Sequence, residues 1–74
     1  LKIMECLKSK DSRLSIHDFR IANCSSGTLL VFDLVLPEDM MSQGNQIKEY
    51  ILHSINKGKS KYLLDVTFDI DTND

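Results

Sequence analysis

Thr28-Leu29-Leu30-Val31-Phe32-Asp33-Leu34-Val35-Leu36-Pro37 is the stretch of sequence that decides the fold of this chain. Apolar side chains occupy both alternating sets of positions, and only Asp33 interrupts them. A strand that is apolar on both faces is typical of the centre of a sheet, and proline ends it because proline cannot donate to a β ladder. The sequence therefore predicts a central strand from Thr28 to Leu36.

The segment before it, Leu14 to Ala22, predicts a strand whose apolar pattern changes midway. Its apolar residues fall at even positions in the first half and at odd positions in the second half. A strict two-residue period cannot place both sets on one face, so we expect a β-bulge near His17-Asp18. The turn-forming residues 23–27 then predict an antiparallel hairpin with the central strand.

Two helices and a third strand complete the pattern. Apolar residues at helical spacing predict a first helix ending near Lys10, with Leu1, Met4 and Leu7 on its apolar face, and a second helix from about Met41 or Ser42 to Asn56. In the last strand, polar residues alternate with Leu64, Val66, Phe68 and Ile70, which we expect on the core side. A right-handed crossover makes this strand parallel to the central one.

The predicted fold class is therefore α+β, an αββαβ three-stranded mixed sheet with two helices on one face. The opposite face is left open, although the central strand places Leu29, Val31 and Val35 there. A solvated sheet face does not normally carry such side chains. We therefore expect the open face to contact a partner, with a second copy of the chain as the expected one.

Composition sets bounds on function. The 74 residues leave room for one core, so residues 1–74 are expected to form a single soluble domain. A net charge of −2 argues against nucleic acid as a partner. Cys6 and Cys24 are expected to be free thiols in a reducing compartment. The chain opens at Leu1, among residues that already look helical, which suggests a fragment of a longer protein.

The chain has no motif of nucleophilic or nucleotide chemistry, so we expect no enzyme activity. His17, at the strand irregularity, and Asp33, a lone carboxylate in the most apolar strand, are the candidate metal ligands, with Asp69 and Asp71 as further oxygen donors. Imidazole and carboxylate suit Zn²⁺, Mn²⁺, Fe²⁺ or Co²⁺. The alternative is structural: Asp33 pairs with Arg20 or a lysine, and the other acids form a solubilising edge. Spacing alone favours that alternative.

The run Leu14-Ser15-Ile16-His17-Asp18-Phe19-Arg20, followed by a short loop and Leu29 to Pro37, resembles the cytosolic C-terminal domain of cation diffusion facilitator transporters. The second helix and the closing strand Val66-Thr67-Phe68-Asp69-Ile70-Asp71 match in order and spacing. The resemblance covers nearly the whole chain. It implies a metallochaperone-like fold on the cytoplasmic side of the membrane, following a transmembrane domain of the same chain.

The resemblance also implies a homodimer that binds divalent cations and thereby regulates proton-coupled metal efflux. His17 matches the family's histidine in the first strand, and Asp33 matches a ligand position in the second. Where family members often add histidines, this chain carries Gly44-Asn45 and Phe68. That implies an oxygen-rich version of the family's metal site, and it favours weak metal binding, a harder cation such as Mn²⁺ or Fe²⁺, or a domain that dimerises without metal. The alternative is a free-standing ferredoxin-like module that binds a small ligand or a protein.

Overall fold

The computed structural model describes residues 3–58 and 61–71. In chain order its elements are helix α1 (Ile3–Lys10), strands β1 (Ser15–Cys24) and β2 (Gly27–Leu36), a 3₁₀ helix (Glu38–Gln43), helix α2 (Gly44–Ile55) and strand β3 (Tyr62–Ile70). The predicted α+β class and the αββαβ order are both confirmed.

The sheet has the order β1-β2-β3, with β1 antiparallel and β3 parallel to β2. The hairpin turn is tighter than the sequence suggested, because the strands continue until Cys24 pairs with Gly27. Gly27 has a φ of +143°, and a Cβ there would lie 2.8 Å from the carbonyl oxygen of Lys61. Only glycine fits this position without strain, since it alone combines that backbone angle with so close an approach.

The core lies between the sheet and the two helices, which cover the same sheet face. Its centre is formed by four β2 residues that are 0–1% exposed, Leu30, Phe32, Leu34 and Leu36. Against it pack α1, α2, the residue before β1 and the 3₁₀ helix, through Ile3, Leu7, Leu14, Met40, Ile47 and Ile51. Each such side chain contributes about 1.5–3 kcal/mol when fully buried, so this one layer supplies most of the stability.

Two positions expected in the core are exposed. Met4 is 45% exposed, because Ile3 and Leu7, four residues apart, form the face of α1 that meets the sheet. Ile70 is 43% exposed at the end of β3, although Leu64, Val66 and Phe68 pack against the core as predicted. Leu1 lies outside the described residues. Both errors arise because a periodic pattern does not show where the covering elements stop.

The second helix begins later than predicted. The 3₁₀ helix occupies residues 38–43, and α2 starts at Gly44, where a Cβ would lie 3.1 Å from the ring of Phe68. A glycine that looks unfavourable for a helix start therefore allows α2 to approach β3 closely. Helices α1 and α2 have 8 and 12 residues. Within the described ranges, no helix is long and apolar enough to cross a bilayer.

The side chain of Asn56 links the end of α2 to the start of β3 by two hydrogen bonds. Its side-chain oxygen accepts a hydrogen bond from the backbone N–H of Tyr62 at 2.8 Å, and its side-chain nitrogen donates to the Tyr62 carbonyl at 3.1 Å. One amide thus satisfies both backbone groups of the first residue of β3. This fixes the register in which β3 enters the sheet beside β2.

Arg13 joins the α1–β1 connection to the 3₁₀ helix. Its guanidinium donates to Asp11 Oδ2 and to Asp39 Oδ1, both at 3.1 Å. The hydrogen bonds from Arg13 lower the pKa of Asp11, and those to the two carboxylates raise the pKa of Arg13. The Arg13 side chain is 53% exposed, so solvent screens the two ion pairs and each contributes little.

We expect Arg13→Gln to lower the thermal unfolding midpoint by a few degrees at pH 7. Because the folded-state pKa of Asp11 lies below its unfolded value of about 4, its ion pair stabilises the fold above that pH. The contribution is lost as the pH falls through the lower, folded-state pKa. Circular dichroism melts should therefore differ between variant and parent at pH 7 and coincide near pH 2, with Lys57→Gln as the surface control. A difference that persists at pH 2 would contradict this account.

Candidate metal-binding site on the open sheet face

The sheet face turned away from the helices is the open face predicted from the sequence. Strand alternation and register place on it one residue from each strand in four successive rows. From the hairpin turn onward, and in the order β1, β2, β3, the rows are Ala22–Leu29–Leu63, Arg20–Val31–Asp65, His17–Asp33–Thr67 and Ser15–Val35–Asp69.

A β-bulge lies between the second and third rows, as the change of apolar parity predicted. The register shifts between His17 and Arg20, and Asp18 takes a φ of 55°. Aspartate tolerates this left-handed conformation better than most residues because its short side chain can bond locally. The bulge lets Phe19 turn to the helix side, where its ring stacks on Phe32 with centroids 5.9 Å apart. His17 and Arg20 thereby both remain on the open face.

His17 and Asp33 are direct partners in the β1–β2 register. Residues directly opposite in an antiparallel pair have Cβ atoms about 4.5–5.5 Å apart, so the two side chains start from neighbouring points of the open face. The sequence could not establish this proximity, because it depends on where the bulge falls. The pair sits on the outer strand and the central strand, where a solute can approach from the open face.

Asp33 lies in the most apolar strand, yet its carboxylate is not fully buried. The Asp33 side chain is half-buried. Among the described residues, no charged side chain is fully buried. A hollow of about 510 Å³, lined by Asp18, Phe19, Arg20 and Asp33, opens beside it. Water therefore reaches the carboxylate. Within residues 3–58 and 61–71 no ion pair joins Asp33 to Arg20, although both line this hollow.

The other two candidate ligands lie further along the sheet. Asp69 pairs with Val35, one row beyond His17 and Asp33, and Asp71 follows the end of β3, where its backbone N–H donates to the Leu36 carbonyl at 2.8 Å. Across the part of the chain that the structure describes, no three His, Cys, Asp or Glu side chains converge to hold a metal ion. In the described part of the chain, the register thus brings only two of the four candidate ligands, His17 and Asp33, opposite each other.

The predicted partner-contacting residues occupy the open face but differ in exposure. Leu29 and Val31 are half-buried, whereas Val35 is 6% exposed and does not belong to the core cluster. The most exposed large apolar side chain is Ile21, at 54%, on the helix side of β1. Sequence reasoning did not identify this second apolar area. The helices do not cover this part of β1.

A groove between the two helices was also not found from the sequence. It has a volume of about 600 Å³ and is lined by Glu5, Cys6, Ser9, Tyr50, Ser54, Ile55 and Tyr62. Within it, the hydroxyls of Ser9 and Tyr50 share a hydrogen bond of 3.2 Å, and the Lys10 ammonium lies 5.0 Å from the centre of the Tyr50 ring. These residues come from three elements, so no local motif could have pointed to the groove.

The chain matches no family model, no curated protein and no solved structure. Its functional interpretation therefore depends on what the fold brings together. Two features qualify: the His17–Asp33 pair on the open face and the groove between the helices.

The bulge should make position 18 sensitive to backbone preference. We expect Asp18→Val to destabilise the chain by about 1–2 kcal/mol, because a β-branched residue is strained at a φ of 55°. Asp18→Gly should be neutral or slightly stabilising, since glycine adopts that angle freely. Urea unfolding of the two variants tests this, and equal losses in both would show that the aspartate side chain, rather than the backbone angle, holds the bulge.

Proposed function

We propose that this chain is a cytosolic regulatory and dimerisation domain of a divalent metal cation efflux transporter, of the proton-coupled type that exports zinc, manganese, iron or cobalt. The observation that carries the proposal is the register pair of His17 and Asp33, beside a bulge and on a sheet face that neither helix covers. The resemblance of the Ile16-to-Arg20 stretch to such domains points the same way. The partners are then a second copy and a transmembrane domain of the same chain, on the cytoplasmic side of the membrane.

The chemistry of the pair suits a borderline or hard divalent cation. A neutral imidazole nitrogen and a carboxylate oxygen are both ligands for Zn²⁺, Mn²⁺ and Fe²⁺. In this proposal His17 and Asp33 hold the ion, and Asp69 and Asp71 add negative charge to the same end of the face. The cation offsets the charge that Asp33 carries in an otherwise apolar strand. Binding is pH-dependent, since the imidazole must be neutral to ligate.

Two ligands from one chain favour a site shared between chains. Structural Zn²⁺ takes four ligands as a rule, and the described part of one chain assembles only two. A second copy doubles the set to two imidazoles and two carboxylates. The cation then has a higher affinity for the dimer than for the monomer. That difference is what allows a ligand to shift an assembly equilibrium.

We expect Zn²⁺ or Mn²⁺ to lower the dissociation constant of the chain's dimer by about tenfold, which corresponds to a modest difference in metal binding between the two states. His17→Ala and Asp33→Ala should each remove that response. His53→Ala, on the exposed side of α2, is the matched control and should retain it. Sedimentation velocity over a range of protein and metal concentrations measures all four proteins.

Two outcomes would overturn parts of this proposal. If Asp33→Ala leaves both metal affinity and dimerisation unchanged, Asp33 is not a ligand. If the dimer forms but its dissociation constant does not change with metal, the domain is a constitutive assembly element rather than a sensor.

The groove between the helices favours a second candidate function, a free-standing ferredoxin-like module that binds a small ligand. Its volume of about 600 Å³ and its mixture of hydroxyls and tyrosine rings suit a compact polar molecule. In this case we expect a monomer at every Zn²⁺ and Mn²⁺ concentration. In an NMR screen against a library of small polar compounds, the amide resonances of Ser9, Tyr50 and Ser54 should shift, and Ser54→Trp should abolish the shifts by filling the groove. Shifts confined to the His17 region would contradict it.

A further inference from the structure

The open face has an uneven distribution of charge. Its central strand presents the apolar side chains of Leu29, Val31 and Val35, interrupted only by Asp33. The basic and neutral groups lie on the β1 side, where Arg20 is the permanent cation. The acids lie on the β3 side, at Asp65 and Asp69. The face is therefore an apolar strip between a basic edge and an acidic edge.

Arg20 and Asp65 belong to the same row of this face, since both pair with Val31, from opposite sides. Two strand spacings separate their backbones, roughly 10 Å, and Val31 lies between them. Both residues are exposed, and neither forms an ion pair with any residue in 3–58 or 61–71. Each charge is thus available to a second molecule that covers the face.

We infer that this second molecule is another copy of the chain, stacked face to face about a twofold axis that runs parallel to β2. The inference rests on the dimer of the proposed function and adds its orientation. A twofold along this direction lays β1 of one copy over β3 of the other. Arg20 then faces the partner's Asp65, and by symmetry the partner's Arg20 faces Asp65, so that two ion pairs flank the apolar strip.

The other twofold orientation that could stack these faces is disfavoured by charge. A twofold axis that lies in the plane of the face and runs across the strands places β1 of one copy over β1 of the other, and β3 over β3. The basic edges with His17 and Arg20 would then oppose each other, and so would the acidic edges with Asp65 and Asp69. Like charges in such juxtaposition cost affinity and suppress the wrong assembly. The parallel axis avoids this at both edges.

The remaining rows are compatible with the parallel axis. Val31 meets the partner's Val31, Ala22 meets the partner's Leu63, and Ser15 can donate a hydrogen bond to the partner's Asp69. Sheets that pack face to face lie about 10 Å apart with their strands within about 30° of each other, a distance that an arginine and an aspartate span together. The one like-charge contact is Asp33 with the partner's Asp33, and a divalent cation bound there relieves it.

Charge reversal tests the orientation directly on the 74-residue chain. Arg20→Asp and Asp65→Arg should each raise the dimer dissociation constant at least about tenfold in low salt, because each places two like-charge pairs across the interface. The double variant Arg20→Asp/Asp65→Arg should return to within about threefold of the parent, since both pairs are restored with reversed sign. Glu49→Arg, exposed on α2 away from this face, is the matched charge-reversal control. Circular dichroism checks that every variant folds.

The outcomes separate this inference from the proposed function. If the double variant is as weak as the single ones while metal still tightens the parent dimer, the orientation is wrong and the regulatory role stands. If the double variant regains the parent's affinity but metal does not change the dimer dissociation constant, the orientation is supported and the sensing role is wrong. A parent chain that stays monomeric in low salt, with and without Zn²⁺ or Mn²⁺, overturns both. As a second measurement, Asp65→Asn should weaken the dimer less than Asp65→Arg does.

Discussion

The rest of the structure depends on one constraint: β2 carries apolar side chains on both of its faces, and each face must be taken out of water. The helices meet this demand on one side, where Leu30, Phe32, Leu34 and Leu36 are buried against α1 and α2. On the other side only Val35 is buried, and Leu29 and Val31 remain half-exposed. A sheet of three strands and two short helices cannot cover both faces by itself. The proposed dimer would cover the face that the helices leave open.

Much of the fold could be predicted because each element has a strong local signal. The change of apolar parity between Ile16 and Phe19 predicted the bulge, and the regular alternation from Leu64 onward predicted the last strand. The exposure of Met4, Ile21 and Ile70 could not be predicted in the same way. Whether an apolar side chain is covered depends on where a neighbouring element ends, which the residues of a single strand or helix do not encode.

For the candidate site, too, the sequence predicted the residue types but not their positions relative to each other. The sequence identified His17 and Asp33 as the residues with ligand chemistry, but their proximity depends on a register shift located at Asp18. A bulge on the other side of His17, nearer the start of β1, would pair the histidine with Leu34 and place it on the helix side of the sheet. The hollow beside Asp33 could not be predicted either, because residues of the bulge line it. The groove between the helices, formed by residues far apart in sequence, had no local signal at all.

The parallel pairing of β3 with β2 also has a consequence for how the chain folds during synthesis. Thr28 pairs with Tyr62 and Leu36 with Ile70, so every contact in this ladder joins residues 34 positions apart (62 − 28 and 70 − 36). The hairpin of β1 and β2, by contrast, closes over a two-residue turn, and short loops close faster and at lower entropic cost. We therefore expect the hairpin to form before β3 pairs, which leaves the most apolar strand as an open edge in a nascent chain that has emerged as far as α2. Until Asn56 bonds to Tyr62 and β3 pairs with β2, we expect the unpaired edge of β2 to be the part of the growing chain most prone to aggregation.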